Sequence, residues 1–135
     1  MKKAKTVRIV SALCIAALCV LLFASWRGAH QIDPVRVEKI VISFNQAEGY
    51  ELTAAESAAF IKSYNTSAYA GEGTGEGGTP EFGITVHFRD GSILRVNDFS
   101  AMGRNFEVSL RDAAGDKKAW YYVNSEELYA FVQAE

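Results

Sequence analysis

Few side chains in this sequence are suited to covalent or metal chemistry. Beyond the first thirty residues the only histidine is His87, in EFGITVHFRDGSILRVNDF, with Asp90 three positions on and Asp98 near the end of the stretch. An imidazole oriented by a carboxylate is a minimal general base, and the two groups must lie within hydrogen-bond reach. An enzyme reading would make His87 the base and Asp90 or Asp98 its orienter. Against it, Asp90 falls in a turn, Asp98 takes the core-facing phase at a strand end, and no motif supplies a Ser or Cys nucleophile. No catalytic residue is assigned.

The stretch GEGTGEGGTPEFG (residues 71–83) allows a G-x-G-x-x-G match through Gly73, Gly75 and Gly78. A dinucleotide fingerprint requires a strand before the glycines and a helix after them, whose N-terminus meets the pyrophosphate. Here a helix is expected before, and Thr79-Pro80 with a strand after. A P-loop lysine is missing, and Glu72 and Glu76 would set negative charge where the phosphate belongs. The stretch therefore reads as a mobile connector that binds no cofactor. Asp112 and Asp116 resemble part of a calcium loop, but Lys117 and Lys118 follow and no bidentate glutamate closes it. Zinc needs converging His and Cys ligands, so no metal site is expected.

Binding chemistry has more to work with. In WYYV, Trp120 and Tyr122 take one face of a strand, while Ala119, Tyr121 and Val123 take the other. An aromatic patch with a polar rim is the usual mark of a docking surface. The candidate ligand- or partner-binding face carries Thr85, His87 and Arg95, with Trp120 or Tyr122 alongside. Its expected partner is a protein or a cell-envelope polymer.

These residues must be positioned by a scaffold that the pattern outlines. VRVEKIVISF (Val35 to Phe44) is a strand rich in β-branched residues. NQAEGYE turns the chain into LTAAESAAFIKSYN, whose Thr53 and Glu56 have capping-box spacing, with Phe60, Ile61 and Tyr64 on one helical face. In the following hairpin a three-residue loop, Arg89-Asp90-Gly91, pairs Phe88 with Ser92, Val86 with Leu94 and Ile84 with Val96. This keeps the apolar set in phase, with Gly91 left-handed. NFEVSLR and AWYYV supply two more strands. A last helix starts at Asn124 or Ser125 and presents Leu128, Phe131 and Val132. The expected order is β-α-β-β-β-β-α, an α+β antiparallel sheet with its helices packed on one face.

Ahead of this domain, Val7 to Trp26 is an apolar run of roughly twenty residues, enough helix to cross about 30 Å of hydrocarbon. Lys2, Lys3, Lys5 and Arg8 precede most of it and only Arg27 closely follows. The positive-inside rule then keeps the N-terminus cytoplasmic. Residues 1–6 read as a cytoplasmic tail, 7–26 as a signal anchor partnered by the lipid bilayer, 27–34 as a polar tether and 35–135 as an extracytoplasmic domain. Cleavage is the competing reading, but the outer small-residue position would hold Phe23 for a cut after Ser25, or Arg27 for one after Ala29. From residue 31 onward, sixteen acids face nine Lys and Arg, leaving net −7, which disfavours nucleic acid. Both cysteines, Cys14 and Cys19, lie in the apolar run, so packing must stabilise the domain without disulfides.

The hairpin from Phe88 to Val96 and the YYV-x-S-x-EL-x-x-F entry to the last helix, Tyr121 to Phe131, give the chain a resemblance. With the basic start, single apolar span and cysteine-free domain, it resembles small membrane-anchored or exported proteins of Gram-positive bacteria. The resemblance implies no activity and transfers no functional residue. A non-catalytic binding module is the expected function. The alternatives are a small extracytoplasmic enzyme using His87 and a released, inhibitor-like regulatory domain.

Overall fold

The computed structural model describes residues 2–73, 80–98 and 104–135, with side chains described except at residue 2 and residues 22–29. Two compact units divide the chain, Met1–Gln31 and Ile32–Glu135. The first is the helix α1 (Lys2–His30), whose stretch Lys3–Leu21 is long and apolar enough to cross a membrane. It continues past Trp26, so part of the stretch expected to be a tether is helical.

The second unit is an α+β domain. Its sheet has seven strands: β1 (Val37–Phe44), β2 (Tyr50–Glu51), β3 (Ala68–Glu72), β4 (Phe82–Phe88), β5 (Ile93–Asp98), β6 (Asn105–Arg111) and β7 (Lys117–Asn124). The spatial order is β2-β1-β4-β5-β6-β7-β3, and every neighbouring pair is antiparallel. Strands β4 to β7 form the expected meander. Two strands correct the expected element order. The turn NQAEGYE contains β2, and the chain after the first domain helix forms β3, which pairs with β7. Gly71 and Glu72, expected to be slack connector, belong to β3, whereas Gly75 and Gly78 lie outside the described residues.

Helix α2 (Ala54–Asn65) opens as its sequence requires. Thr53 Oγ1 accepts from Glu56 N at 3.2 Å, and Glu56 Oε1 accepts from Thr53 N at 3.0 Å. Each side chain satisfies an amide left over at a helix start. Helix α3 (Glu126–Ala134) is capped by Ser125, whose hydroxyl accepts from Leu128 N at 3.0 Å. Phe60 on α2 meets Phe131 on α3 with ring centroids 6.0 Å apart.

Both helices bury one face of the sheet. Ile40 and Ile42 from β1, Ile84 and Val86 from β4, Val96 from β5, Phe106 and Val108 from β6 and Val123 from β7 pack against Phe60, Tyr64, Leu128 and Val132. Each large apolar side chain so buried contributes about 1.5–3 kcal/mol. The hairpin register is the expected one, Val86 opposite Leu94 and Ile84 opposite Val96, with Phe88 N donating to Ser92 O at 3.0 Å. Gly91 has φ +86°, a conformation that costs residues with a Cβ.

Strand β1 begins at Val37 rather than Val35, because Asp33 caps a short 3₁₀ turn, Pro34–Arg36. Just before it, Ile32 is 2 % exposed and sits in the core cluster. Its N–H donates to Asn65 Oδ1 at 2.7 Å and its carbonyl accepts from Asn65 Nδ2 at 3.0 Å. One asparagine at the end of α2 therefore clamps the start of the domain.

Candidate functional site

Antiparallel pairing turns alternate residues of each strand toward the face away from the helices. On that face the register lays out three cross-strand rows. The first runs Ser43, Gly83, Asn97, Glu107, Tyr122, Gly71. Val41, Thr85, Arg95, Ser109 and Trp120 make the second, and Lys39, His87, Ile93, Arg111 and Lys117 the third. All five residues expected at a binding surface, Thr85, His87, Arg95, Trp120 and Tyr122, thus share one side of the sheet.

They are not equally available. Arg95 is exposed, Thr85, His87 and Trp120 are half-buried, and Tyr122 is only 4 % exposed. Tyr122 does not join the apolar cluster under the helices, yet it is buried, so it is no open docking aromatic. Trp120 is packed from two directions. Lys117 Nζ stands 3.9 Å from the ring centroid, within cation–π range. Gly73 N donates to Trp120 O at 3.0 Å, and a Cβ on Gly73 would collide with the indole. The first glycine of the supposed fingerprint serves to let the backbone run against a tryptophan.

The carboxylates that an enzyme reading would recruit have other partners. Asp90 Oδ1 accepts from the Ser92 hydroxyl at 2.5 Å and from Ser92 N at 2.8 Å, while Oδ2 meets Arg36 at 3.1 Å. The Ser92 hydroxyl, the Ser92 N–H and then Arg36 hold the Asp90 carboxyl below the usual range. Asp98 Oδ1 accepts from Glu81 N at 2.7 Å and from Phe82 N at 3.4 Å, pinning the start of β4. Neither aspartate orients His87.

The possible calcium loop is a turn closed on itself. Asp112 Oδ1 accepts from Asp116 N at 2.9 Å and Ala114 N at 3.0 Å, and Oδ2 meets Lys118 at 3.3 Å. These bonds, led by that from Asp116 N, lower the Asp112 carboxyl's proton affinity. Among the described residues no group of three or more His, Cys, Asp and Glu converges as a metal site would require.

A cavity that the sequence did not announce lies at one end of the open face. It measures 260 Å³ and is bordered by Ser43, Gln46, Gly83, Arg95 and Asn97. Its members come from three strands and a turn, and only their register brings them together. The odd glycine in the apolar β4 was the one available signal.

Fold and site together define an antiparallel α+β domain with a helix-covered face and a polar, partly aromatic face. No family model, curated protein or solved structure matches the chain.

Proposed function

We propose that the chain is a single-pass membrane protein, N-terminus inside, whose domain acts outside the cytoplasmic membrane as a non-catalytic binding module for a protein or a cell-envelope polymer. One observation carries this reading: α2 and α3 bury one face of the sheet, and Thr85, His87 and Arg95 stand on the other. The apolar length of Lys3–Leu21, with Lys2 just before it and Lys3, Lys5 and Arg8 in its first part, supports an anchor of that orientation. A domain without cysteine, holding its core by packing alone, is compatible with an oxidising exterior. The enzyme alternative has no such support, since Asp90 and Asp98 are engaged away from His87.

A photo-reactive residue placed at Thr85 in the full chain tests the proposal in intact cells. A discrete adduct from Thr85, and none from exposed Lys62 on α2, is the expected result. Equal capture from both positions, or none from Thr85, would defeat it.

A further inference from the structure

The side-chain layer of the open face has a hole where β1, β4 and β5 meet the turn after β1. Gly83 lies between Ser43 and Asn97 in one row, and its missing side chain leaves the floor of the 260 Å³ cavity bare. A Cβ there would stand 3.0 Å from Asn97 Oδ1 and 3.8 Å from Arg95 Nη2. The Asn97 amide and the Arg95 guanidinium therefore both border the space above Gly83.

Two features of these groups ask for a ligand. Asn97 Oδ1 is buried and, among the described residues, accepts no hydrogen bond, a state that native proteins rarely tolerate without a reason. Among the described residues the Arg95 guanidinium has neither an ion-pair partner nor a hydrogen-bond acceptor. A guanidinium is the side chain best shaped for a carboxylate. A buried amide oxygen wants an N–H or O–H donor.

The turn after β1 brings a third polar side chain, Gln46, to the cavity. Asn45 and Gln46 have φ of 50° and 59°, the consecutive left-handed pair of a primed turn; Asn takes this conformation readily and Gln46 is its unusual occupant. Asn45 N to Glu81 O, 2.6 Å, and Ala47 N to Phe44 O, 2.9 Å, hold the turn so that Gln46 lines the cavity.

We propose that this cavity binds an N-acylated small amino acid, either free or as the last residue of a peptide chain. Its carboxylate pairs with Arg95, its amide N–H donates to Asn97 Oδ1, and its small side chain sits over Gly83. The volume lies below the roughly 300–1,000 Å³ of sites for drug-sized molecules, so a glycine- or alanine-sized residue fits best. The inference rests on the reading of this face as a binding surface and names the ligand class it takes.

The test uses the full chain in detergent micelles, following the Gly83 amide and the Asn97 side-chain amide by ¹⁵N NMR. N-acetylalanine and the peptide N-acetylalanylalanine each carry both groups. Acetate lacks the N–H, and N-acetylalaninamide lacks the carboxylate. Saturable shifts with the first two, at least tenfold weaker with the others, are expected, and the tighter of the first two tells free amino acid from peptide end. Gly83→Ala should weaken binding tenfold or more by filling the floor. Asn97→Leu should abolish selectivity for the N–H while leaving the melting temperature unchanged or higher, because it removes an unsatisfied acceptor.

A lower melting temperature for Asn97→Leu would show a structural asparagine and overturn the proposal. So would equal response to acetate and N-acetylalanine, or no saturable shift with either acylated probe. If Thr85 still captures a partner in cells while these probes fail, only the cavity assignment falls.

Discussion

The hydroxyls of Tyr64 on α2 and Tyr121 on β7 hydrogen-bond to each other inside the core, tying a helix to the strand that carries Trp120 and Tyr122. Burial raises both phenols above the ordinary value near 10, Tyr64 the more strongly. Helix α2 and β7 also carry the covered face, so this contact holds the open face in register from behind.

Tyr121→Phe leaves the Tyr64 hydroxyl without its partner in a buried setting. It should cost about 1–3 kcal/mol by denaturant titration, and less when combined with Tyr64→Phe, because the second change removes the orphan. Strict additivity of the two would contradict the pairing. Both phenols are raised on folding, so their neutral-form stabilisation is complete below pH about 10 and is lost as pH rises through the folded values. The melting temperature should accordingly begin to fall above that pH, and Tyr64→Phe should soften the fall.

Gly91 closes the β4–β5 hairpin at φ +86°, and a Cβ there would meet Ala113 Cβ at 3.1 Å. Gly91→Val should therefore destabilise the domain by roughly 1–3 kcal/mol. A thermal melt unchanged from the wild type would refute the left-handed turn.

The β4–β5 register and the α2 cap were legible because each is written locally. Ile84, Val86, Leu94 and Val96 alternate about a turn with Asp90-Gly91, and Thr53 and Glu56 sit one turn apart. Strand β3 was not legible: AYAGE has no apolar alternation, and its pairing with β7 spans some fifty positions of chain. Of the open face, strand phase grouped Thr85, His87 and Arg95, and separately Trp120 with Tyr122; that the two sets share a side follows from the β5–β6–β7 register. Burial of Tyr122 and the packing of Gly73 on Trp120 depend on that distant pairing, and so were invisible. The cavity needed even more, the β1–β4 register and the left-handed pair Asn45-Gln46, of which only Asn45 is a residue type that favours that conformation.

Gly73→Ala should push the chain off the Trp120 indole. In a Trp26→Phe background, where Trp120 is the sole tryptophan, its emission should move to longer wavelength as water reaches the ring. An unmoved spectrum would mean that the contact is not held in solution.

Asn65 clamps both backbone groups of Ile32, at 2.7 Å and 3.0 Å. Asn65→Ala should cost about 1–3 kcal/mol through the buried groups it strands. Limited proteolysis should then cut between residues 31 and 36 faster than in the wild type. A cleavage rate equal to the wild type's would show that the clamp contributes nothing.

The central claim is that the open face is displayed on the far side of a membrane that α1 crosses. It is tested most directly by single cysteines at Glu48, exposed in the domain, and at Lys3, exposed in α1, in a chain with Cys14 and Cys19 replaced by alanine. Intact cells are treated with a membrane-impermeant maleimide. The account predicts labelling at position 48 without permeabilisation and at position 3 only after it. Labelling at position 48 only after permeabilisation would contradict it.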